Sequence, residues 1–294
     1  MTTPRVGCVF RPQFAPETLA SAARAADVAG LDELWLWEDC FLSGGISAAA
    51  VALANTEHLT VGVGVLPVPM RNVALTAMEI ATLCRSFPGR VRIGVGHGVQ
   101  EWMAQIGAKV ASPMTLLREY LTALRRLLDG DEVTVDGTYV RLDGVQLDWP
   151  PPAGTELLCA AGGPKTLALS GELASGTIIT GGTSPDVLRA AVAHIATGRA
   201  LRTQPAPHSV VTYLQCALGE NAESRARQEL RSWDFDVDAD LAVCGTPAQV
   251  AAGARRWVDA GADTIVFQPG ADVDFAEFVT AVGTQVQPEL AQPH

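Results

Sequence analysis

Past one short apolar run the chain reads Gly94-Val95-Gly96-His97-Gly98, then Val99-Gln100-Glu101-Trp102. Glycines at alternate positions let backbone come close to a flat ligand, and His97 offers a proton-transfer group whose ordinary pKa lies near neutrality. A histidine among glycines is equally at home as a loop residue bonded to backbone. Further on, Ala160-Ala161-Gly162-Gly163-Pro164-Lys165 puts bare amides at the first turn of a helix, where they and the helix dipole can hold a phosphate. An ordinary strand-to-helix turn would use the same residues. Trp37-Glu38-Asp39-Cys40-Phe41 supplies two carboxylates that, like Glu101, can act as acids or bases if partly buried. Solvated surface or cap positions are the alternative for all three. Trp37, Phe41 and Trp102 either wall an aromatic pocket or pack in the core. The histidines at 58, 97, 194, 208 and 294 show no helical pairing and no acidic residue at ligand spacing, so no catalytic metal is expected.

These segments share a position in the chain: each follows a run rich in Val, Ile, Leu or Trp. Eight such runs alternate with helix-like stretches, at Arg5 to Phe10, Glu33 to Trp37, Thr60 to Leu66, Val91 to Val95, Glu156 to Ala160, Thr177 to Thr180, Ser209 to Ala217 and Asp263 to Phe267. Runs of this kind are parallel strands covered by helices, and eight of them favour a closed (β/α)8 TIM barrel over an open sheet. Helix punctuation agrees, with Pro16 at the start and Gly30 just past the end of an Ala-rich segment. The fourth and fifth strands are separated by an insertion holding a helix at Leu116 to Leu128 and two runs, Glu132 to Val135 and Tyr139 to Leu142. Asp136-Gly137 between those runs predicts a hairpin turn. With no flexible linker, residues 1–294 are read as one barrel domain, its first and last strands paired. The loops after the strands then form its active face.

Composition narrows the partners. With 48% hydrophobic and 18% charged residues the chain can bury a large core. A net charge of −11 and no Lys/Arg run argue against nucleic acid. The apolar stretch Val61 to Met70 is broken by Gly62, Gly64, Pro67 and Pro69, so no membrane span or signal segment is expected. Six scattered cysteines without a C-x-x-C pair fit reduced thiols and a cytoplasmic protein.

Taken in order, Ala29-Gly30-Leu31-Asp32-Glu33-Leu34-Trp35-Leu36-Trp37-Glu38-Asp39, Val61-Gly62-Val63-Gly64-Val65-Leu66-Pro67, Gly89-Arg90, Gly94 to Gly98, Ala161-Gly162-Gly163-Pro164 and Gly245-Thr246-Pro247 resemble the luciferase-like monooxygenase superfamily. The resemblance is to its branch that uses the deazaflavin coenzyme F420, such as methylene-tetrahydromethanopterin reductase. It implies hydride transfer to or from a small organic substrate, with flavin mononucleotide (FMN) as the alternative cofactor and a cofactor-binding protein without turnover as a third reading. It also implies a homodimer. By resemblance, Gly64, Val65 and Leu66 form a bulge that supports the cofactor ring and carries a non-proline cis peptide at Gly64-Val65. Gly96, His97 and Gly98 lie beside the ring, and Gly162, Gly163 and Pro164 with Thr180 and Gly181 surround the phosphate.

Two departures matter. Several relatives have Asp-His after the second strand, where this chain has Asp39-Cys40. The sugar-phosphate dehydrogenases have Glu after the Gly-x-Gly, where this chain has Val99, which argues against that activity. A thiol of ordinary pKa near 8.5 is a poor general base at neutral pH, so His97 is the first candidate for proton transfer, followed by Asp39 and Glu101.

Overall fold

A computed structural model describes residues 3–292. Its strands are β1 (Arg5–Val9), β2 (Glu33–Leu36), β3 (Thr60–Pro67), β4 (Val91–Gly96), β5 (Val133–Asp136), β6 (Arg141–Val145), β7 (Leu157–Ala160), β8 (Gly176–Ile179), β9 (Ser209–Leu218), β10 (Ala242–Gly245) and β11 (Thr264–Gln268). β1–β4, β7–β9 and β11 are parallel and close on themselves: β8 pairs with β9, and β1 pairs with β11 from Arg5↔Thr264 to Cys8↔Phe267. Every expected run is therefore a strand of a closed barrel, and the first lies beside the last.

β10 was not expected. It pairs only with the outer end of β9, from Ala242↔Gln215 to Gly245↔Leu218. Its Ala-Val-Cys-Gly is too short and too poor in β-branched residues to stand out. The ribbon of β5 and β6 is present, but its turn lies later than Asp136-Gly137 suggests. Asp136 is already paired with Arg141, and Gly137 N donates to Val140 O at 2.9 Å. The cause is Glu119, whose carboxylate accepts from the amides of Thr138, Tyr139 and Val140 at 2.8–3.0 Å. That long-range acceptor stabilises a wider turn.

The barrel is filled at mid-height by Trp35, with Tyr213 edge-on at a centroid distance of 6.0 Å. The indole fits because its neighbours are small: a Cβ on Gly62 would lie 2.5 Å from Trp35 Cδ2, and one on Gly7 would lie 2.9 Å from Cδ1. At the N-terminal end the interior is polar. The fully buried carboxylate of Glu33 receives Arg5 (2.6 Å), Arg92 (2.9 Å) and the indole N–H of Trp35 (2.6 Å). Arg92 continues to Glu156 (2.8 Å), Ser209 (3.0 Å) and Thr264 (3.3 Å), tying together strands from all round the barrel.

Among the described residues no helix is long and apolar enough to cross a membrane. Among the same residues no group of three or more His, Cys, Asp or Glu side chains is placed to hold a metal ion.

His208, just ahead of β9, makes the fold sensitive to acid. Its Nδ1 lies 2.9 Å from the Arg202 guanidinium and 3.2 Å from Ala174 O, and its Nε2 lies 2.8 Å from Thr177 Oγ1. Burial, then the Arg202 charge, push its pKa down to about 4. The unfolded chain, near 6.5, takes up the proton first, so this contribution is complete above about pH 6.5 and is lost as pH falls toward 4. The urea midpoint is expected to fall across that window and to fall less in His208→Gln. Equal slopes for the two proteins would remove His208 as the cause.

Candidate active site

At the C-terminal rim the loops enclose a cleft of about 480 Å³, within the range of small-molecule and cofactor sites. Its floor is the upper end of β3. The register with β4 shifts between Val63 and Leu66, and the Gly64–Val65 peptide is cis, as the resemblance implies. The Tyr213 hydroxyl donates to Gly64 O at 3.2 Å from below. Here the glycines of β4 acquire their reason: a Cβ on Gly96 would stand 2.9 Å from Val65 Cγ2, and one on Gly94 would press on Ile178 and Val65. Their first task is to admit the bulge. Gly96 and Gly98 also line the cleft, so backbone is exposed there as the alternation suggested.

Asp39 enters from the loop after β2. It is half-buried, its Oδ2 accepts from Trp37 Nε1 at 2.8 Å, and burial raises its pKa against that bond. His97 faces it from the loop after β4. His97 Nε2 lies 3.3 Å from Thr166 Oγ1, while Nδ1 is buried toward the Pro113 backbone without a well-formed hydrogen bond. Burial holds the imidazole below its ordinary pKa, so it is neutral at pH 7. It can accept or relay a proton without first having to lose one.

On the far side, Gly163 is the N-cap of the helix Pro164–Leu173, and no side chain caps it. Nothing lies within 4 Å of where a Cβ on Gly162 or Gly163 would stand. The helix thus presents free amides and the positive end of its dipole to an open cradle, which suits a phosphate. Thr180 and Gly181 close that side.

Not every expected residue reaches the cleft. Leu66 is buried outward, filling the space left by Gly45, which a Cβ there would enter at 2.9 Å. Cys40 turns its thiol to Met70 Sδ at 3.6 Å, and Glu101 is exposed on the helix Gln100–Gln105. Pro164 starts its helix beside the cradle without lining the cleft. Glu38 is consumed structurally: both oxygens pair with Arg71, and one also accepts from Gly45 N at 3.0 Å. That ion pair pins the β2 and β3 loops together. Tyr213, Gln215, Trp233, Phe235 and Gln268 line the cleft and were not anticipated. Their one signal was polarity inside apolar runs, since Gln215 and Gln268 interrupt the β9 and β11 patterns.

A closed parallel barrel whose C-terminal rim gathers Asp39, His97, loop glycines and an uncapped helix N-terminus around one cleft is a scaffold suited to holding a small ligand. The chain belongs to the luciferase-like monooxygenase family, whose model matches residues 3–235. It is 30% identical over 192 residues to a 5,10-methylenetetrahydromethanopterin reductase of Methanolobus tindarius, covering 65% of this chain. It is 32% identical over 184 residues to an F420-dependent glucose-6-phosphate dehydrogenase of Mycobacterium tuberculosis, covering 58% of this chain. The matched stretches span 58% and 55% of those relatives' own lengths. Among solved structures, an F420-dependent secondary alcohol dehydrogenase superposes with a TM-score of 0.87 at 20% identity, covering 99% of this chain and all of that one. At that identity the likeness speaks for the fold.

Proposed function

We propose that this chain, as one barrel unit, is an oxidoreductase that passes a hydride between coenzyme F420 and a small organic substrate. The observation that carries the reading is the cradle at Gly162-Gly163, an uncapped helix N-terminus with open space above it, facing the Gly64–Val65 bulge across one cleft. The naming of the mycobacterial relative for F420 favours deazaflavin over FMN. When bound, the deazaflavin supplies hydride exchange at a ring carbon. The chain supplies the rest. Val65 and Tyr213 would support the ring from below, the helix amides would hold the phosphate, and Gly96 to Gly98 would close one edge. His97 manages the proton, with Asp39, oriented by Trp37, as the next candidate. Cys40 and Glu101 stand further back. Trp37, Trp233 and Phe235 exclude water.

Titration with F420 and with FMN, read by absorbance and by the mass of the bound species, tests this. Tighter FMN binding would move the chain to the flavin branch, binding without turnover would make it a carrier, and binding of neither would end the reading. Cytoplasmic residence and a homodimer belong to the same proposal. Leu75 and Met78 on the helix Val73–Ser86 are exposed apolar side chains three residues apart, an apolar face suited to a second copy. Sedimentation velocity reads the assembly.

The cradle also makes a quantitative prediction. At Gly163 (φ −89°, ψ 154°) a side chain is allowed and its Cβ meets nothing within 4 Å, so Gly163→Val is expected to fold, at the modest cost of a poorer N-cap. It crowds the phosphate, and F420 affinity is expected to fall by about tenfold or more, against less than about threefold for the exposed Lys165→Ala. Calorimetry on both variants decides. The reverse order would mean that side-chain charge holds the phosphate.

A further inference from the structure

A second and larger cavity, about 830 Å³, opens beside the cleft between the end of β9, the helix Ala222–Ser232 and the loop after β11. Gln215 and Trp233 line both spaces, so the two meet at these side chains. With the ring in the smaller space, the larger one is where a substrate can reach it. Three features define what it accepts.

The first is an unpartnered carboxamide. Gln215 is 1% exposed, yet neither its oxygen nor its nitrogen has a hydrogen-bond partner. It sits in register with Gln268 on the neighbouring strand and turns toward Gly181, whose Cβ would stand 3.6 Å from Gln215 Nε2 and 3.5 Å from Gln268 Oε1, so this amide marks the border of the cavity on the side of the cleft. A buried amide left this way costs free energy unless a ligand completes it. The second is a pair of buried donors, the Nε groups of Arg11 and Arg225, also without partners. These suit hydroxyl or carbonyl oxygens.

The third is charge. Four carboxylates line the cavity, Glu229, Asp272, Asp274 and Glu277, against two guanidiniums that are already engaged. Arg11 pairs with Glu229 at 2.7 Å and with Pro269 O at 3.1 Å, and Arg225 donates to Leu218 O. Glu229 Oε1 takes both Arg11 and the Trp233 indole, which leaves Oε2 free. Asp272 Oδ1 and Glu229 Oε2 would lie 3.0 and 3.4 Å from a Cβ on Gly270, so the two carboxylates converge on one point. A convergence of carboxylates attracts a cation and repels an anion.

We infer that this cavity is the substrate subsite and that it takes a small hydroxylated molecule carrying a protonated amine, not a phosphorylated one. The inference rests on the cofactor occupying the adjoining cleft. Glucosamine, glucose and glucose 6-phosphate are matched probes, sharing one frame with charges that are positive, neutral and negative. Binding is followed by calorimetry and Trp fluorescence, with and without F420.

Glucosamine is expected to bind about tenfold tighter than glucose, the effect of one charge-assisted hydrogen bond, and glucose 6-phosphate weakest. Asp272→Asn, an exposed change that leaves the fold intact, should cut the glucosamine advantage to within about threefold and leave glucose unchanged. Gln215→Leu should weaken both sugars alike. Glucose 6-phosphate binding as well as glucosamine, an advantage untouched by Asp272→Asn, or no binding of any probe would each overturn the inference. The expected ranking in a protein that fails to bind F420 would overturn the cofactor reading alone. F420 binding without the ranking would overturn this subsite alone.

Discussion

Replacing His97 with alanine is expected to lower turnover by about 10²-fold or more while F420 still binds within about threefold of the original affinity. The reasoning begins with what the alternatives lack. Cys40 is directed at Met70, and burial with the nearby Glu38 and Asp39 charges pushes its thiol pKa further up, so it is protonated at neutral pH. Glu101 is exposed and outside the cleft lining. Asp39 is in the cleft but has one oxygen committed to Trp37. His97 is in the cleft and, with burial holding its pKa down, is neutral. Its lowered pKa also sets a pH signature: the acid limb of kcat should fall below the ordinary imidazole value of about 6.5, and His97→Ala should lack it. Steady-state turnover at saturating cofactor, with a cofactor titration on the same variant, separates proton transfer from binding. Unimpaired turnover would pass the role to Asp39 or to the substrate itself.

The other large effect is on stability. Arg92→Ala is expected to destabilise the fold by roughly 3–5 kcal/mol, the usual cost of stripping the partner from a buried charge. Glu33 is fully buried, and without Arg92 its carboxylate keeps only the half-exposed Arg5 and the Trp35 N–H. Arg92 is also the link between Glu33 and Glu156, Ser209 and Thr264, so several barrel strands loosen together. Removing both charges is less harmful than removing one. Arg92→Met with Glu33→Gln should regain about half of the loss, because no unpaired ion is then left inside. Urea unfolding of the two variants measures this. A loss under about 1 kcal/mol for Arg92→Ala would show that water or Arg5 compensates.

Much of this protein was legible in order along the chain. The strands of a parallel barrel are covered on both faces, so each is a short run of apolar residues between helix signals, and that composition is local. The loops that follow them are local as well, which is why Asp39, Gly96 to Gly98, Gly162-Gly163 and Thr180-Gly181 could be named as one face before any of them had been seen together.

What only the tertiary structure decided has partners far away in sequence. Glu38 looked like a candidate acid until Arg71, 33 residues on, took both its oxygens. The Asp136-Gly137 turn moved because Glu119 caps three amides beyond it. Gly94 and Gly96 invited a ligand but first make room for a valine on another strand. Arg11 and Glu229, 218 residues apart, set the charge of a cavity that no motif announces. A run or a loop carries its own signal because its neighbours are its context. The partner of a buried polar group is fixed by where the closed barrel brings distant strands together, and that closure is written in no single segment.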